Sequence, residues 1–275
     1  MIKVKQSIAL FLTLAFPSAA FSGDYATIKT STGVEYGFHQ GEKTSPLLIV
    51  IATDIKESMT DTYSPVGGIL SSNGYSVAAI DVTCHGKDQK KKEKYGLECW
   101  RARADKTDKN VFDGYVENLK AVIGDIAGKH AADTREITVL GVSRGGYLAM
   151  KVAAEIQDIS TVIALAPVTD VFRLHEFDGS SASKSLYSLE QYYPALSGKH
   201  LFIQINNDDD RVGTAQAMSF ISGVTAAGGP GAVDLTAVLT PKKGHSTSEH
   251  EMAAAWALSQ RNSAAVDGAQ MSAPK

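Results

Sequence analysis

Short apolar runs, each bounded by glycine, proline or polar residues, recur along the chain and set its layout. Residues 25–30 and 34–39 alternate around Ser31-Thr32-Gly33, the pattern of an antiparallel hairpin. Six further runs begin at Leu47, Tyr75, Glu136, Thr161, Leu201 and Asp234. They are apolar or rich in β-branched residues, as strands covered on both faces must be. Helices are predicted over 63–72, 111–130, 147–154, 214–227 and 248–258. The longest carries Val111, Tyr115, Leu119, Val122, Ile123 and Ile126 at helical spacing. Residues 53–61 read as a polar loop, and 82–110 and 168–198 as two long irregular insertions. A hairpin followed by alternating strands and helices predicts an α/β fold, a mostly parallel eight-stranded sheet with helices on both faces. The pattern places one domain over 23–260, with a small, polar, flexible tail over 261–275. No internal repeat interrupts it.

Composition adds a size and a compartment. A chain of 275 residues with 44% hydrophobic content is long enough to bury a substantial core. A net charge of -3 gives no reason to expect nucleic acid or an anionic membrane as partner. Residues 1–22 read as a secretory signal peptide. They have a basic start at Lys3 and Lys5, an apolar core from Ile8 to Phe16, and small residues Ala20 and Ser22 before a cleavage point at Gly23. That core is too short to span a bilayer, so the expected mature protein is exported, secreted or periplasmic, without stable membrane insertion. Cys84 and Cys99 are the two cysteines. Their spacing fits a disulfide worth about 3 kcal/mol in the chain-entropy model, and equally a pair of buried free thiols. Neither has a C-x-x-C partner for zinc.

Candidate chemistry centres on Gly141-Val142-Ser143-Arg144-Gly145-Gly146, between a predicted strand and a predicted helix. G-x-S-x-G at such a junction is the nucleophile-elbow pattern, whereas the dinucleotide fingerprint G-x-G-x-x-G is absent. An alcohol needs a base within hydrogen-bond reach, and the base needs an acidic partner. In parallel α/β folds these groups gather on loops at the carboxyl ends of strands. His245 lies after the last strand, in the chain order Ser, Asp, His. His250 lies in the final helix, and His85 is on the right sheet edge but out of order. The acid comes from Asp208-Asp209-Asp210, among which composition does not choose. A calcium loop starting at Asn206 is rejected, because Arg211 stands at the required glycine and Ala217 at the closing glutamate.

The motifs Gly141–Ala149, Asp209-Asp210-Arg211-Val212 and Gly244-His245 resemble the catalytic domain of prolyl oligopeptidase-type and dienelactone-hydrolase-like α/β-hydrolases. The stretch Ile80–Gly86 resembles their D-x-P-x-H-G loop, with threonine for proline. The resemblance spans roughly 46–258 and implies an α/β-hydrolase fold. It selects Asp209, two positions before an Arg-Val pair, as the acid. Two features depart from the family: the N-terminal β-propeller of the oligopeptidases, and a His-Gly pair after the Leu47 strand, are both missing. The implied chemistry is attack by Ser143 on an acyl carbonyl, with His245 as base and Asp209 orienting it. One oxyanion donor is the Arg144 backbone N–H, and the second comes from Thr53 or Asp54. The Arg144 side chain either reaches the site or pairs with a nearby carboxylate. No metal or organic cofactor is required. The insertions should wall the substrate pocket, with Tyr95, Trp100 and Tyr147 as candidate binding residues. The expected activity is hydrolysis of small-molecule carboxylic esters. The alternatives are an oligopeptidase-type peptidase and a non-catalytic binding protein on the same fold.

Overall fold

The computed structural model describes residues 25–60, 65–229 and 231–271. The expected signal peptide lies outside the described residues. Eight strands form one sheet: β1 (Ala26–Lys29), β2 (Glu35–His39), β3 (Ser45–Ile51), β4 (Ser76–Ala79), β5 (Ala132–Val142), β6 (Ile159–Leu165), β7 (His200–Asp208) and β8 (Leu235–Lys243). Their spatial order is β1-β2-β4-β3-β5-β6-β7-β8. β1 and β2 form the antiparallel hairpin, β2 meets β4 antiparallel, and every later pairing is parallel. The central strands are buried on both faces, which explains their unbroken apolar sequence: Leu47 to Ile51 are all fully inaccessible.

Nine helices are described: α1 (Ile55–Ser58), α2 (Pro65–Ser72), α3 (Gly96–Ala104), α4 (Asp113–Lys129), α5 (Arg144–Glu155), α6 (Lys184–Tyr187), α7 (Tyr193–Leu196), α8 (Thr214–Gly228) and α9 (His250–Met271). α4 buries Tyr115, Leu119, Val122, Ile123 and Ile126 of the predicted stripe, and also Val116, while Val111 precedes the helix and is partly buried. α5 and α4 belong to one core with the sheet, while Ala253, Ala254 and Ala257 of α9 join α2 in a second core on the opposite face.

Several expectations change. The polar loop over 53–61 contains α1, because the Asp54 side chain accepts the Glu57 N–H at 2.8 Å and caps it. The insertion 82–110 contains α3, and 168–198 is built of short helical turns. β8 continues through Pro241 to Lys243. It is an edge strand, where a residue without an N–H breaks no ladder bond. α9 runs through Arg261 to Met271.

Candidate active site

β5 ends at Val142 and α5 begins at Arg144, so Ser143 alone makes the turn. Its backbone sits at φ 54°, ψ -115°, a left-handed region that L residues rarely adopt. Backbone bonds hold it there: its N–H donates to the Leu165 carbonyl at 3.0 Å, and its own carbonyl accepts from Gly146 and Val168, both at 2.9 Å. The flanking glycines are steric requirements. A Cβ at Gly145 would lie 1.8 Å from the Ile51 carbonyl oxygen, and one at Gly141 would lie 2.4 Å from the Gly145 oxygen.

Two loops at the same sheet edge meet this serine. His245 Nε2 is 2.9 Å from Ser143 Oγ, and His245 Nδ1 is 2.8 Å from Asp209 Oδ2. Of the three adjacent aspartates, Asp209 alone is buried. Its Oδ1 accepts the N–H groups of Arg211 (3.0 Å) and Val212 (3.1 Å), so both carboxylate oxygens are engaged. An acceptor-only carboxylate at Nδ1 requires the proton there and leaves Nε2 to accept from the serine hydroxyl. His250 points elsewhere, with its Nε2 on Thr247 Oγ1 at 3.0 Å.

Ala52, Thr53, Arg144, Ser246 and Thr247 line a cleft of about 300 Å³ around Ser143 and His245. Arg144 is the first residue of α5 and follows the nucleophile, the place of an oxyanion donor in an elbow turn. The Thr53 N–H donates to Ser58 Oγ at 3.3 Å, so it is engaged within its own loop. Asp54 caps α1 beside it.

The Arg144 side chain has an uncharged partner where a carboxylate was the other expectation. Its Nη1 lies 3.0 Å from Nε2 of His85, and His85 Nδ1 lies 3.0 Å from the Thr83 carbonyl. A guanidinium only donates, so Nε2 accepts and Nδ1 carries the proton. Burial holds the His85 imidazole below the ordinary histidine range, and the Arg144 charge adds to this against the opposing Thr83 bond. Sequence order excludes His85 from the base role. No pattern in the sequence places it beside Arg144.

Of the expected substrate residues, the structure places Trp100 and Tyr147 in the core. Both are fully buried; Trp100 Nε1 donates to Thr83 O at 2.7 Å, and Tyr147 Oη to Tyr187 O at 3.0 Å. Phe112 packs between them, with ring centroids 4.5 Å from Trp100 and 5.3 Å from Tyr147. Their aromatic bulk fixes the insertions to the body, so neither faces the cleft. Tyr95 is exposed, and its ring meets His85 edge-on at 4.9 Å. Cys84 and Cys99 are joined in a disulfide that ties α3 to the loop carrying His85.

A parallel sheet, a strained serine turn and a Ser143–His245–Asp209 hydrogen-bond chain define an α/β-hydrolase, a serine hydrolase by its site. The model of the family described as serine aminopeptidase, S33, matches residues 46–228, more than half of the chain, and the chain belongs to that family. A search of curated proteins finds no match. Among solved structures the fold is similar to dipeptidyl peptidase 4 of Porphyromonas gingivalis, with TM-score 0.61 and 19% identity. That match covers 81% of this chain and 32% of the other. It is also similar to Pyrococcus horikoshii acylaminoacyl peptidase, with TM-score 0.63 and 12% identity over 83% of this chain and 39% of the other. An esterase of Pyrococcus furiosus gives TM-score 0.59 and 18% identity over 86% of this chain and 90% of the other. The chain thus spans about a third of the length of the two peptidases.

Proposed function

We propose that this serine hydrolase cleaves small carboxylic esters through an acyl-enzyme on Ser143. The observation that carries the reading is the unbroken chain from Ser143 Oγ to His245 Nε2 and from His245 Nδ1 to Asp209 Oδ2. It opens onto a cleft of about 300 Å³, the size of a small acyl group and its alcohol. The mutual coverage with an esterase supports the same reading. Ser143 attacks the acyl carbonyl while His245 takes its proton, and Asp209 stabilises the imidazolium. The tetrahedral oxyanion accepts from the Arg144 N–H at the start of α5 and from a backbone N–H of the loop after β3, that of Thr53 or Asp54. His245 returns the proton to the alcohol, which leaves. Water then attacks the acyl-enzyme with His245 again as base.

The family description favours a second reading, release of an amino-terminal residue from a peptide. Turnover of p-nitrophenyl esters from acetyl to long acyl, beside aminoacyl p-nitroanilides, separates the two. The ester reading expects turnover of short acyl esters by the wild type, none by Ser143→Ala, and little cleavage of the anilides. Efficient anilide cleavage with weak ester turnover would replace it with the peptidase reading.

Export of the chain after removal of residues 1–22 belongs to the same proposal. The Cys84–Cys99 disulfide, at home in an oxidising compartment, supports it. Amino-terminal sequencing of the protein from its native source should begin at Gly23; a retained Met1 would refute it.

A further inference from the structure

His245 rides a loop at the end of edge strand β8, between Gly244 at φ 78° and Ser246. Its backbone is tied at one point, where the Gly244 N–H donates to the Asp208 carbonyl at 2.8 Å. A side chain from the neighbouring strand supplies further ties. Asn206 lies on β7 three residues before Asp209 and is fully buried. Its Nδ2 donates to the Gly244 carbonyl at 2.8 Å, to Ser246 Oγ at 3.0 Å and to the Ser246 carbonyl at 3.3 Å. Those two residues flank His245 on either side.

The orientation of this amide is itself enforced. Asn206 Oδ1 accepts from Thr240 Oγ1 at 2.6 Å and from Gln204 Nε2 at 3.1 Å. A rotated amide would set its NH2 against donors and its oxygen against carbonyls. Gln204 also receives the Ser248 N–H at 3.3 Å, at the far end of the same loop. The other end of Asn206 reaches the acid. Its backbone carbonyl accepts from Thr214 Oγ1 at 2.6 Å, and Thr214 Oγ1 accepts the Asp209 N–H at 3.0 Å. One residue therefore ties the loop of the base to the loop of the acid. An apolar residue at 206 would fill the space but leave the Gly244 and Ser246 carbonyls without this donor.

We propose that Asn206 is a positioning residue, which holds His245 Nε2 on Ser143 Oγ by clamping Gly244 and Ser246. The proposal rests on the serine-hydrolase reading of the site. Loosening the clamp displaces a proton-transferring group, and a misplacement of about 1 Å costs about 100-fold in rate.

The test uses Asn206→Ala and Asn206→Asp in the full chain, with p-nitrophenyl acetate as substrate and near-UV circular dichroism as the check of folding. The expected result is a fall in kcat of about 100-fold with KM unchanged. The far-downfield proton resonance of a histidine Nδ1–H bonded to a carboxylate should also be lost or broadened in both variants. A folded variant with kcat close to wild type and an intact resonance would overturn the proposal. Failure of both variants to fold would overturn it too, by making Asn206 a folding residue. If the wild type shows no Ser143-dependent turnover, the hydrolase reading fails. The resonance then decides separately whether Asn206 keeps His245 on Asp209.

Discussion

The nucleophile and the base of this site are held in different ways. Ser143 is held by backbone: a one-residue turn between β5 and α5, with three main-chain hydrogen bonds and a carbonyl packed against Gly145. His245 is held mainly by side chains, the Asp209 carboxylate at one ring nitrogen and the Asn206 amide beneath its loop, beside one backbone bond from Gly244 to Asp208. Backbone sterics tolerate no substitution and tie the geometry to folding itself. Side-chain hydrogen bonds can be removed one at a time while the fold persists. Changes on the base side should therefore separate activity from stability, and changes on the nucleophile side should not.

The largest expected effect tests that separation directly. Asp209→Asn keeps an oxygen for the Arg211 and Val212 N–H groups but presents an NH2 to His245, which forces the wrong tautomer. We expect kcat to fall about 10⁴-fold, with the urea midpoint nearly unmoved; a parallel loss of stability would erase the contrast. Gly145→Ala probes the other side. Its Cβ would overlap the Ile51 oxygen, so strands β3 and β5 must part from α5. The expectation is a loss of about 3 kcal/mol in urea unfolding together with loss of activity in whatever remains folded.

Two smaller effects sharpen the picture of the first insertion. Reduction of Cys84–Cys99 should lower stability by about 3 kcal/mol at most, as expected for a loop of this length. It should lower kcat modestly and leave the His245–Asp209 pair intact, because the loop carrying His85 borders Arg144, the oxyanion donor, and not His245. The smallest effect is a pH dependence. His85 and His250 are both held below the unfolded value of 6.5, chiefly by burial. The unfolded chain therefore binds more protons than the folded one as pH drops through that value, and stability should fall with it. His85→Gln should flatten this acid limb in urea titrations at pH 5 to 7; an unchanged slope would assign the effect to other groups.

Periodicity made the fold legible. The hairpin, the six later strands and the stripe of α4 follow from residues whose burial repeats along the chain, and each central strand is apolar because both its faces are covered. The elbow was equally legible, since the Gly141 and Gly145 contacts are local and act through composition. α1 escapes a reading by periodicity although Asp54-Ile55-Lys56-Glu57 carries a capping pattern, because four residues are too few for a period to show. Trp100 in the first insertion and Tyr147 next to the elbow read as pocket residues because an aromatic residue has the same letter whether it faces ligand or core.

The order of elements, the serine turn and the residue types of an acyl-transfer site are written in the chain, because they depend on neighbours a few positions apart. Tertiary structure decided which aspartate turns inward, that Arg144 meets a neutral His85, that the two thiols join, and that Asn206 lies beneath His245. The atoms of Asn206 and Gly244 are 38 residues apart in sequence and 2.8 Å apart in space. No local pattern encodes such a contact. It exists only because β7 and β8 pair in parallel and bring their carboxyl ends to one edge.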